Sequence, residues 1–197
     1  MNHSPFKNHH TMIRVVGVIA ALFGLVTAAS GAARYSLTDL GTPYGARAAA
    51  LNERGQVTGY APTGSTNHFF RPLLHAFLYS NGALTDLGTL GGTDSFGTAI
   101  NERGQVTGYA STAQNAEFPV HAFLYSNGAL TDLGTLGGTE SFGTAINERG
   151  QVTGMAATGR NGTHAFLYSN GAMTDLGTLG GAFSNGLAIN ERGHVTG

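Results

Sequence analysis

Residues 75–88 read His-Ala-Phe-Leu-Tyr-Ser, then Asn81-Gly82, then Ala-Leu-Thr-Asp-Leu-Gly. Asn-Gly between two apolar-rich runs is the strongest short-range hairpin signal, because a type I′ turn needs positive φ at both central residues. That turn sets the register. Tyr79 faces Leu84, Phe77 faces Asp86 and His75 faces Gly88 on one side, with Leu78–Thr85 and Ala76–Leu87 on the other. Large apolar groups fall on both sides. A sheet wetted on one face would alternate cleanly, so this one needs cover on both, as stacked sheets have. A second hairpin follows: Thr98-Ala-Ile-Asn, a tip at Glu102-Arg103-Gly104, then Gln105-Val-Thr-Gly. Asn101 suits the first position of a type I turn and Gly104 the left-handed residue that closes it, placing Ile100 opposite Val106.

The pattern recurs. Asn-Glu-Arg-Gly begins at Asn52, Asn101, Asn147 and Asn190, and His-Ala-Phe-Leu-Tyr-Ser-Asn-Gly begins at His75, His121 and His164. Residues 75–108 and 121–154 differ only at Asp94 and Glu140. The steps of 49, 46 and 43 residues give a repeat of about 46 residues holding four short strands, the size of one β-propeller blade. The predicted fold is therefore all-β: tandem four-stranded antiparallel repeats, propeller blades in an incomplete set. Helix is confined to the start of the chain. A β-solenoid is the rival fold, disfavoured by the drifting repeat length. The length differences all lie between Val-Thr-Gly and the next His-Ala-Phe, in Tyr60–Leu74, Tyr109–Val120 and Met155–Thr163. An exposed loop is expected there, since a packed strand would not absorb them.

The beginning of the chain reads differently. Lys7 and Arg14 precede an apolar run from Val15 to Ala29, then small residues to Ala33. Basic, apolar and small residues in that order form an export signal, assigned to residues 1–32 with cleavage after Ala32 or Ala33. The run is too short to span a bilayer, and no later segment is apolar enough to do so. Residues 33–197 form the β-repeat domain, about three full units with partial units at both ends. It opens on a fourth strand without partners and stops after the second strand of a further unit, so a truncated chain is expected.

The combination of His-Ala-Phe, Thr-Asp-Leu-Gly-Thr-Leu-Gly-Gly and Ile-Asn-x-x-Gly-x-Val-x-Gly resembles the HAF family of extracellular repeats of bacteria. The resemblance spans nearly everything after the signal. It departs at Pro43-Tyr44 and at Ala50-Leu51-Asn52 in the first unit. It implies export and repetition, and it implies no reaction.

Composition narrows the function. Charged residues make up 11% and the formal net charge is −1, so no basic stripe calls for nucleic acid. Cysteine is absent, which removes disulfides and thiolate metal sites. His75, His121 and His164 each lie diagonal to an acid across the hairpin: Asp86, Asp132 and Asp175. These pairs read as structural, because equivalent residues of separate blades point to separate places and a metal needs converging ligands. Gly91-Gly92-Thr93-Asp94-Ser95 lacks the spacing of a calcium loop and reads as a turn. Glu102-Arg103 reads as a solvated tip, with a weak ionic contact to a neighbouring blade as the alternative. No catalytic residue, metal or cofactor is assigned.

Near-identical repeats do not supply the asymmetry of an active site, but they can present one contact several times. The non-identical material is the variable segment. Its richest version, with His68, Phe69, Phe70 and Arg71, suits contact with carbohydrate or protein, or equally a strand edge tucked against a neighbour. The expected function is that of a secreted or cell-surface, non-enzymatic binding module for a surface polysaccharide or protein. The alternatives are a glycan hydrolase or lyase with its active site outside this sequence, and a structural surface spacer.

Overall fold

A computed structural model describes residues 38–43, 45–67, 70–112, 119–159 and 162–197; the expected export signal lies outside them. The Asn-Gly turns take the left-handed conformation that their residue types favour: φ is +51° and +79° at Asn81-Gly82, +53° and +83° at Asn127-Gly128, and +52° and +81° at Asn170-Gly171. Each joins the third and fourth strands of a sheet. The first sheet comprises β1 (Arg47–Leu51), β2 (Val57–Thr66), β3 (Pro72–Ser80) and β4 (Ala83–Gly88). The second comprises β5 (Ser95–Ile100), β6 (Val106–Ser111), β7 (Val120–Ser126) and β8 (Ala129–Asp132). The third holds β9 (Gly137–Ile146), β10 (Val152–Thr158), β11 (Thr163–Ser169) and β12 (Ala172–Asp175), and β13 (Ala188–Ile189) pairs with β14 (Val195–Thr196). Strands lie in chain order within each antiparallel sheet. The all-β fold of repeated four-stranded sheets is the one the sequence predicts.

Neighbouring sheets stack face to face. Ala76, Leu78 and Leu87 of the first sheet pack against Val106, Phe123 and Tyr125 of the second, and Ala122, Leu124 and Leu133 repeat this against Val152 and Phe166 of the third. Phe77, on the other face of the first sheet, is covered by Leu40. Residues 38–43 thus sit where a preceding fourth strand would. The first strands of adjacent sheets lie against one another, whereas β4 and β8 barely meet, so the sheets fan outward from a shared inner edge as blades do.

Small residues make this stacking possible. The fully buried Thr58 donates its hydroxyl to Phe77 O (2.8 Å), and a Cβ on Gly97 of the next sheet would lie 2.3 Å from Thr58 Oγ1. Thr107 stands in the same relation to Gly143, and Thr153 to Gly186. In each four-stranded sheet the glycine of Val-Thr-Gly passes under a bulge in the first strand, where a Cβ on Gly108 would meet Phe96 O at 1.9 Å.

Two expectations need correction. The first hairpin keeps Tyr79 opposite Leu84 and Phe77 opposite Asp86, but a bulge then pairs Ala76 with Gly88 instead of Leu87. Ser95 supplies the reason: its hydroxyl accepts the Ala76 N–H (2.8 Å) and donates to Gly88 O, which leaves Leu87 to turn into the sheet interface. The variable segment is also not all loop. β2 continues to Thr66 and β3 begins at Pro72. Ala61, Ala110 and Ala156, inside or at the start of those segments, are fully buried. The length changes are taken up beyond them, at the hairpin tips.

Candidate binding surface

The strand order separates two ends. One carries the Asn-Glu-Arg-Gly turns and the Asn-Gly turns. The other carries the variable tips, the Gly-rich connections between sheets and the His–Asp pairs.

The three pairs form, and each is built alike. Nδ1 of His75 lies 2.9 Å from both carboxylate oxygens of Asp86, and His121–Asp132 and His164–Asp175 show the same distances. The carboxylate fixes Nδ1 as the protonated nitrogen. Each Asp also receives a main-chain N–H two residues on, from Gly88 (2.8 Å), Gly134 (2.7 Å) and Gly177 (2.7 Å). These bonds lower the pKa of Asp175, the Gly177 N–H foremost and His164 second. Each pair clamps a third strand to the fourth strand of its own sheet. Among the described residues no three His, Asp or Glu side chains gather as metal ligands would.

The tips differ from one another. In the first unit Asn67 closes a tight loop: its main-chain N–H donates to Arg71 O (2.9 Å), its Oδ1 accepts the Arg71 N–H (3.0 Å), and Phe70 N–H donates to Asn67 O (2.9 Å). Phe70 is held at φ +60° with 86% of its surface exposed. A left-handed non-glycine residue costs about 1–2 kcal/mol, and such strain persists where surrounding bonds over-determine it. Of the four tip residues singled out by sequence, Phe70 and Arg71 are placed; His68 and Phe69 lie outside the described residues. Arg71 reaches across to the next sheet, its guanidinium 3.5 Å from Asp94 Oδ2. Asp94 also accepts the Leu74 N–H (3.0 Å) and the Thr93 hydroxyl (2.9 Å).

Asp94 was expected only in a turn, without such a partner. Its one signal was that Asp94 and Glu140 are the single difference between two otherwise identical stretches. In the third unit the tip is shorter, and beside it an open cleft of about 580 Å³ adjoins Thr158, Gly162, His164, Asp175 and Ala182.

Below the tips an aromatic row crosses the sheets. Tyr60 meets Phe96 edge-on (4.9 Å between centroids), Phe96 stacks on Tyr109 (5.0 Å), and Tyr109 meets Phe142 edge-on (5.0 Å). Burial, reinforced by the neighbouring Tyr60, raises the pKa of Tyr109. No protein-family model, curated protein or solved structure matches the chain.

Proposed function

We propose that this chain is a secreted or cell-surface binding module of the HAF kind, that it performs no reaction, and that its ligand is a surface polysaccharide or protein held at the variable tips. One observation carries the reading. Phe70 is a large apolar side chain left almost wholly exposed on a loop whose backbone is fixed by Asn67 and whose neighbour Arg71 is anchored to Asp94. An aromatic presented on a pre-ordered loop contributes contact area at low entropic cost, and aromatics with Arg dominate binding hot spots. The His–Asp pairs are spent on clamping hairpins, in the same way in each sheet.

The test is retention of the full chain on envelope polysaccharide and on blotted envelope proteins of the producing cell, compared with a Phe70→Ser/Arg71→Ser variant. The reading predicts a loss of roughly tenfold or more in affinity for one of the two materials, the scale of a single hot-spot residue. Equal retention of the variant on both materials would overturn it.

A further inference from the structure

We infer that the end opposite the variable tips carries a second, independent contact surface: a row of four arginines that binds an acidic polysaccharide. The turn Asn-Glu-Arg-Gly recurs four times at this end, followed by Gln in the first three. Asn101 accepts the Arg103 and Gln105 N–H groups on Oδ1 (3.0 Å each), and its Nδ2 donates to Gln105 Oε1 (2.7 Å) and to Asn147 O of the next sheet (2.9 Å). The Glu102 carboxylate accepts the Glu53 N–H of the preceding turn (2.8 Å). Gly104 takes φ +73°. Gln105 Nε2 donates to Ser126 Oγ (3.0 Å), tying this turn to the Asn-Gly turn beside it.

Every position of the pentapeptide but one thus has a task in the fold. The exception is the arginine. Arg54, Arg103, Arg149 and Arg192 are all exposed. Among the described residues none of them is in an ion pair, and the one arginine that is paired is Arg71, at the other end. The arginine also persists where the surrounding unit diverges. The first unit has Ala50-Leu51 before its turn, and the last has His194 in place of glutamine, yet both keep it. Direct bonds from each turn to the next hold the four turns, and with them the four arginines, in a row along this end.

The acids at this end decide the ligand. Each turn brings one glutamate, so the row is formally neutral. Glu102, Glu148 and Glu191 turn along it and accept the main-chain N–H of Glu53, Glu102 and Glu148 respectively (2.8, 2.8 and 3.1 Å); Glu53 accepts no such N–H among the described residues. A densely charged polyphosphate needs a strongly positive surface, which this is not. A polysaccharide with separated carboxylate or sulfate groups needs one well-shaped donor per group. The planar fork of arginine supplies two parallel N–H donors to such an anion. Each contact is weak alone, and the repetition multiplies it.

The test uses the full chain at low ionic strength on polygalacturonate and alginate, which carry carboxylates, on dextran sulfate, and on a DNA duplex. Binding to at least one of the three polysaccharides is expected, weakening steeply with salt. Single Arg→Gln substitutions should weaken it roughly twofold, and replacing Arg54, Arg103, Arg149 and Arg192 together by Gln at least tenfold. The fourfold Arg→Lys variant should fall between, and Arg47→Gln, at the far end of β1 from the turn, should match wild type. These side chains are exposed and make no hydrogen bond or ion pair among the described residues, so far-UV circular dichroism should not change. The inference is overturned if no polysaccharide binds, if the fourfold Gln variant binds as wild type does, or if DNA binds more tightly than every polysaccharide. None of these results bears on Phe70, which is read by its own variant.

Discussion

Asn101→Ala should be among the most damaging substitutions of a polar residue in this chain, and Asn190→Ala, the same change in the last turn, among the mild ones. Asn101 is 4% exposed and makes four hydrogen bonds with its side chain, one of them to Asn147 O in the next sheet. At about 1 kcal/mol net for each bond, the loss is about 4 kcal/mol, with the Gln105 N–H and Asn147 O left wanting partners. Asn147 makes the same set, its onward bond going to Asn190 O (2.9 Å). Asn190 is exposed. It caps its own turn through the Arg192 and His194 N–H groups (2.9 and 3.0 Å) and meets His194 Nδ1 at 3.3 Å, and among the described residues it makes no bond to another sheet. Water replaces these exposed bonds when the side chain is removed, so its loss should be about 1 kcal/mol in all.

Asn101→Asp separates the two roles. The Oδ1 bonds within the turn survive, while the oxygen replacing Nδ2 faces Asn147 O and repels it. Urea unfolding followed by circular dichroism measures all of these. Stability in a stacked array is a sum of unit and interface terms, so the difference between Asn101→Ala and Asn190→Ala, about 3 kcal/mol, reports the onward bond together with the burial of the turn against the next sheet. Equal losses at the two positions would refute the claim that this side chain links sheets.

Three further outcomes follow from packing and charge. Phe123→Ala, at a fully buried position between the first and second sheets, should cost about 3–5 kcal/mol in urea unfolding, whereas Phe70→Ala should stay within about 0.5 kcal/mol. Because Asp175 titrates below the usual carboxylate range, the stability it contributes is complete above its unfolded value of about 3.9 and is lost as pH falls through the lowered folded value. Asp175→Asn should therefore flatten the acid limb of a plot of urea midpoint against pH, and an unchanged limb would contradict the assignment. Tyr109 is shifted the other way. Its contribution is present below about pH 10 and is lost as pH rises through the raised value, so spectrophotometric titration should show a late phenolate that Tyr109→Phe removes.

How far the sequence reached depends on how local each determinant is. The Asn-Gly turns were legible because two adjacent residue types dictate the sign of φ, and the register to Asp86 followed by counting from the turn. The His–Asp pairs followed from that register. The bulge at Leu87 did not, because its cause is the Ser95 hydroxyl, which lies in another sheet and 19 residues from the N–H it accepts. Assigning the whole variable segment to loop failed for a related reason. A hairpin can lengthen at its tip while Ala61 stays buried at its base. Glu102 read as a solvated tip because its partner, the Glu53 N–H, is 49 residues away. The Arg71–Asp94 contact is likewise between sheets, and no pattern within one repeat encodes it.

The central structural claim is that successive four-stranded repeats stack face to face, with the threonine of one Val-Thr-Gly seated on the glycine of the next unit. The chain has no cysteine, so an engineered pair reads this without ambiguity. Gly97 would place a Cβ 2.3 Å from Thr58 Oγ1, which brings the two Cβ atoms close to the separation of about 3.5–4.5 Å that a disulfide needs. Mass spectrometry of the Thr58→Cys/Gly97→Cys protein, oxidised under native conditions and digested without reduction, should find one peptide pair linked through residues 58 and 97. Two free thiols in a protein that keeps its β-sheet circular dichroism would contradict the stacking.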